Sequence, residues 1–304
     1  RELPPEAIGG FNGDQFSNLP PEAIAGFRPD QFSELPPQAV GGFAPEQLAE
    51  LPPEVMGRMA PDQFKALPPE AFAGFQPDQI GELPPEFIGE FSPKEFKRLP
   101  PEAMAGFDAE RFAELAPKAI GGLAAEQVAE LPPEVMGRMA PEQFTALPPE
   151  AFEGFQPKQL KKLPLDLLGE ISPEAIDSLN PEAFAGFNPK KFNGMPSDLL
   201  QEIDSVQFGK LKPKLMRKMN DEVIGSIDPG AVEGLTPKQA KKMNKVVASN
   251  FEPAQIRSIQ PECLAALPGP VFNILEPDFS NKQLNGLMAL QGQGDGEDIG
   301  GPVI

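Results

Sequence analysis

A proline every eight residues is the strongest constraint on what this 304-residue chain can fold into. Bulky apolar side chains open each octad, from Leu3, Phe11, Leu19 and Phe27 onward, and define position a. Position c carries Pro in 26 of the 35 octads between residues 3 and 282. A second apolar site, f, follows at Ile8, Phe16, Ile24 and Phe32, and the register persists to Phe208, Met216 and Ile224. A long helix does not tolerate this spacing, because each Pro removes an interior hydrogen bond and clashes with the preceding turn. A central strand does not tolerate it either, since Pro gives no donor to the ladder.

One very short helix per octad satisfies every position. In "ISPEAIDSL", Ile171 to Leu179, Ser172 is placed to cap and Pro173 to occupy the first helical site, where its missing N–H costs nothing. Glu174 sits near the positive helix end. Position e is often Gln or Glu, as at Gln15, Gln31, Gln47 and Glu95, which predicts a capping box. Residues a and f then form a hydrophobic staple across the helix start, as with Leu51 and Met56. Phe72 and Phe152 occupy f and are expected in the core.

Neighbouring octads differ, so the larger unit is sixteen residues, "LPPEAFAGFxPxQFxx". The Pro-Pro octad usually ends in Gly, as at Gly10, Gly26, Gly42, Gly74, Gly106 and Gly154. A left-handed residue closing the helix would account for those glycines. Helices of about six residues are unstable alone in water. Each must therefore bury a and f against its neighbours, and the expected fold is all-α, an elongated solenoid of Pro-capped helices. A sixteen-residue period favours an even number of octads per superhelical turn.

A third level has a period of eighty. "AELPPEVMGRMAP" spans Ala49–Pro61 and recurs unchanged at Ala129–Pro141. Internal duplication explains it most simply. If ten octads also restored the rotational phase, Arg58 and Arg138 would mark equivalent contacts along one side. Four segments are expected. Residues 1–194 form the regular solenoid with its duplication, and 195–274 a divergent, more basic continuation. Residues 275–287 contain a register slip and a cap, and 288–304 form a Gly-rich acidic tail.

Composition narrows function. The formal net charge of −19 argues against nucleic acid as a partner. No apolar run is long enough for a membrane span, so no membrane insertion is expected. The chain has no His and a single Cys263, which leaves no usual acid–base relay and no partner for a thiolate nucleophile. No enzyme, cofactor or metal site is expected; "DGED" in the tail lacks the ligand spacing of a calcium loop. A start at Arg1, without an initiator Met, leans towards a processed, secreted chain.

"GLTPKQAKKM", "LNPEAFAGF" and "FAPEQLAEL" resemble the short Pro/Thr-capped helical tandem repeats of bacterial surface or secreted proteins, over nearly the whole chain. Isolated units are also similar to the helical repeats of the mesothelin and stereocilin group. Both resemblances imply an extracellular or cell-surface setting and an adhesive or structural role. The expectation is a structural protein that forms or lines a rod, filament or surface layer with copies of itself or other structural subunits. The alternative is a solenoid scaffold or adhesin segment that recognises a protein or glycan.

Overall fold

A computed structural model describes residues 8–292, all of them helix, turn or connection with no strand. The chain divides into two compact units, Arg1–Gly154 and Phe155–Ile304. Each is an all-α repeat solenoid of short helices, built by the same rule.

Helices start at the c-site proline. Octads with Gln at e form α-helices of up to six residues, such as Pro45–Glu50, Pro61–Ala66 and Pro77–Glu82. Pro-Pro octads form four-residue α-helices, such as Pro53–Met56, or 3-10 helices such as Pro69–Gly74 and Pro101–Gly106. Side-chain caps appear where the sequence supplies an acceptor. Ser92, Ser172, Asn188, Asp204 and Thr236 each accept from a backbone N–H of the first turn.

Each superhelical turn contains three octads. Pro45–Glu50 packs on Pro21–Ile24 one turn before and on Pro69–Gly74 one turn after. Pro77–Glu82 likewise lies between Pro53–Met56 and Pro101–Gly106. In the second unit Pro181–Gly186 lies between Pro157–Lys162 and Ser205–Lys210. The expectation of an even number is therefore corrected. With two alternating octad types, an odd number per turn places every Pro-Pro octad on a Gln octad, whereas an even number would stack like on like.

The core runs inside this stack. The f residues are buried from Ile8 onward, and Leu51, Met56, Phe72 and Phe152 are all interior. The a residues are buried from Leu35 onward, but Phe11, Leu19 and Phe27 are only half-buried. Position a therefore packs against the turn before it, and these three belong to the first turn of the described residues. The register slip near the end is absorbed by Glu276–Asp278, a short 3-10 turn, and Asn281–Gly292 follows as the longest helix described, with Leu287 buried against the last repeats.

The h-site glycines do a different job from the one their sequence position implies. No glycine among the described residues has a positive φ. A Cβ on Gly74 would instead stand 1.9 Å from the carbonyl oxygen of Pro45, the first residue of the helix beneath. Gly106 and Gly154 meet Pro77 and Ala125 in the same way. Gly10 and Gly26, in the first turn, have no backbone closer than 3.8 Å. The glycine is selected by close approach between turns and not by local conformation. Gly74→Ala is expected to cost about 1–3 kcal/mol by overpacking, while Gly26→Ala stays within about 0.5 kcal/mol; paired urea denaturation curves would measure both.

Candidate interaction surface

The stacking rule decides which side chains reach solvent. Sites a and f, and most e sites, are interior, so the surface is carried mainly by d, g and h. Position d is acidic in most octads of the first unit, and Asp30, Glu54, Asp78, Glu102, Glu126 and Glu150 are all exposed. These residues are successive d sites on one side of the coil, one per turn.

The interior e site ties the turns together. Its Gln side chain uses both ends. In Gln143, Oε1 accepts from the Ala140 N–H at 3.1 Å, which closes the start of its own helix. Its Nε2 donates to the carbonyls of Phe112 at 3.0 Å and Leu115 at 2.8 Å, 31 and 28 residues earlier. Gln47, Gln63, Gln79, Gln127, Gln239 and Gln255 repeat the arrangement. The capping half was predicted from the sequence; the inter-turn half was not. Its signal was present in the preference for Gln over Glu, because only the amide accepts and donates at once. Among the described residues no buried side-chain nitrogen or oxygen lacks a partner.

Three other residues at e sites also donate to a turn below, whereas Ala175, Val223 and Val271 put an apolar side chain where the sixteen-residue phase calls for Gln. Arg111 Nε reaches the Leu83 carbonyl at 3.3 Å, and Cys263 Sγ reaches that of Leu235 at 2.8 Å. Lys191 Nζ donates to the carbonyls of Leu160, at 2.7 Å, and Lys161. Burial holds the Lys191 ammonium below the ordinary lysine value. Burial, with Glu262 beside it, pushes the Cys263 thiol up to about 11, so it is protonated and unreactive at neutral pH. Glu95 keeps only the capping half: it accepts from the Ser92 N–H but has no proton to give the turn below when ionised. After the register slip, Gln283 still finds two carbonyls, Ile256 and Ile259, by reaching back 27 and 24 residues.

Arg58 and Arg138 are both exposed. They are not on the same side. Ten octads make three and a third turns of three octads each, so the duplicated segments are rotated by a third of a turn. The idea that eighty residues restore the phase is corrected by this count. Their neighbours differ too. Arg138 Nη1 lies 3.7 Å from Glu110 Oε1, whereas Asp30, the residue eighty positions before Glu110, is held by Arg28 at 3.2 Å. The "DGED" segment falls outside the described residues.

Two open grooves lie on these surfaces. In the first unit, Glu54, Asp78 and Glu82 line a groove of 490 Å³ with Pro53, Pro77 and Gly106. In the second, Arg217, Lys241 and Lys245 line one of 430 Å³ with Pro268, Pro270 and Val271. No helix among the described residues is long and apolar enough to cross a membrane, and no three or more of their Cys, Asp and Glu side chains cluster as a metal site would require. No family model matches the chain, and no curated protein matches it.

Two substitutions test the e site. Gln143→Glu keeps the shape and the acceptor but removes the donor and buries a charge; it should cost about 1–3 kcal/mol in urea unfolding, whereas Gln15→Glu in the exposed first turn should be near neutral. Lys191→Gln should raise the urea midpoint at pH 7. A lysine depressed on folding leaves the folded state least favoured below its folded value, and stability recovers as pH rises through it. The gap between wild type and Lys191→Gln should therefore close as the pH approaches 10.5.

Proposed function

We propose that the chain is an extracellular or cell-surface structural protein that assembles with copies of itself into a rod, filament or layer. One observation carries this reading. The stacking rule repeats the exposed d, g and h positions once per turn along each side, and from Asp30 to Glu150 the same charge recurs at every d site of one side, so a contact made there at one turn is offered again at the next. Periodic surfaces of this kind suit a partner with the same period, and another copy has it. A contact between two different faces of identical subunits does not close on itself unless the rotation does, and so yields extended assemblies. The reading is non-enzymatic and invokes no cofactor. The only cysteine is a protonated, buried e-site donor, and most of the acids lie at exposed, repeated surface positions.

A second reading, a solenoid scaffold for a protein or glycan ligand, is favoured by the groove at Arg217, Lys241 and Lys245, whose lining contains no acid. Negative-stain microscopy of the full chain over a range of concentrations separates the two. Polymers many subunits long are expected. Dispersed single copies at every concentration would remove the structural reading.

A further inference from the structure

The basic residues of the second unit look like two separate runs in the sequence, "KLKPKLMRKM" and "PKQAKKMNK". The three-octad turn brings them together. Octads 187–194, 211–218 and 235–242 start 24 residues apart and so occupy the same side on consecutive turns. Hydrogen bonds join them directly. Asn193 Nδ2 donates to the Lys218 carbonyl at 2.7 Å, and Arg217 Nε donates to the Lys242 carbonyl at 3.2 Å. These three octads hold nine Lys and Arg residues and no Asp or Glu. All but Lys191 are exposed. In a chain of net charge −19 this is a cationic column. The octads between them carry the acids Asp198, Glu202, Asp204, Asp221, Glu222, Asp228 and Glu233, which the same geometry places on the other two sides.

The first unit presents the opposite pattern. Asp30, Glu54, Asp78, Glu102, Glu126 and Glu150 are d sites of one column, and Glu34, Glu82, Glu130 and Glu153 add to it from the g and h sites. Its basic residues are two, Arg28, which is paired with Asp30, and Arg58. The acidic groove of Glu54, Asp78 and Glu82 opens on this column. In the second unit three successive d sites of one side are Lys190, Lys214 and Lys238, bounded by Asp166 one turn before and Glu262 one turn after. Both columns therefore carry one d-site charge per turn, on the same repeat.

We propose that the cationic column of one copy docks on the acidic column of a second copy, with Lys190, Lys214 and Lys238 meeting d-site carboxylates of successive turns. This rests on the self-assembly reading and names its contact. The argument for a second copy over another acidic partner is the shared period. Two columns built by the same turn align several charges in register, and an unrelated acidic surface does not. Register matters because a single exposed ion pair contributes little, and a useful interface needs many at once. The contact joins different faces of the two copies, so it propagates.

Charge exchange tests it. The first variant, Lys190→Glu/Lys214→Glu/Lys238→Glu, places acids where most octads already have them. The second is Glu54→Lys/Asp78→Lys/Glu102→Lys. All six positions are exposed, and circular dichroism would verify that helix content is kept. Light scattering and sedimentation of wild type should show association that weakens at least tenfold between about 0.05 M and about 0.5 M salt, as the Debye length shrinks. Each variant alone should associate at least tenfold more weakly than wild type, and an equimolar mixture should recover association. Variants that polymerise as wild type does would overturn this contact while leaving self-assembly standing. Wild type that stays monomeric under all conditions would overturn both. Wild type that binds labelled poly-glutamate through the Lys column without self-associating would assign the column to a different acidic partner and also overturn the proposal.

Discussion

A single side-chain amide, placed at the third residue of a short helix, holds successive turns of this protein in register. Its oxygen completes the helix it belongs to. Its nitrogen satisfies two carbonyls 28 and 31 residues earlier, around the end of the helix that precedes the one stacked beneath. Helices of four to six residues end almost as soon as they begin, so most of their backbone groups have no partner within the helix. A buried carbonyl left without a donor costs about 1–3 kcal/mol. The recurring amide removes that cost at each e site it occupies. Lys191, Arg111 and Cys263 show that other donors can serve at e positions, while Ala175, Val223 and Val271 show that some turns stack without one.

The two octad types follow from the same stacking. One supplies the amide and a helix of four to six residues. The other supplies a glycine that lets its backbone settle on the first residue of the helix below, as Gly74 does on Pro45. Three octads per turn make these two types alternate along every side. Each close glycine contact then falls on a Gln-type octad. An even count would bring glycine onto glycine on some sides and amide onto amide on others.

That geometry also organises charge. Residues dispersed along the sequence at intervals of 24 become columns. Columns with one charge per turn can act collectively, although each exposed pair is weak. Exposed inter-turn pairs such as Arg98 with Glu70 at 3.1 Å trim the surface but do not hold the fold. The interior does, through a, f and the e-site donor.

Much of this was legible in the sequence, because it is local. Proline at the first helical position, an acid after it, and apolar residues at a and f specify one short helix per octad from propensity and capping alone. The burial of Leu51, Met56, Phe72 and Phe152 belongs to that level. The number of octads per turn does not. An eight-residue period is compatible with any count, and the sixteen-residue period pointed to the wrong parity. What fixes it is a set of contacts between residues 24 to 31 positions apart, namely amide to carbonyl and glycine to backbone. The same contacts explain why Arg58 and Arg138, identical in sequence context, face different sides. They also explain why the glycines have ordinary φ values. Local periodicity determined the helices; long-range hydrogen bonding and steric fit between turns decided how they coil and which charges share a face.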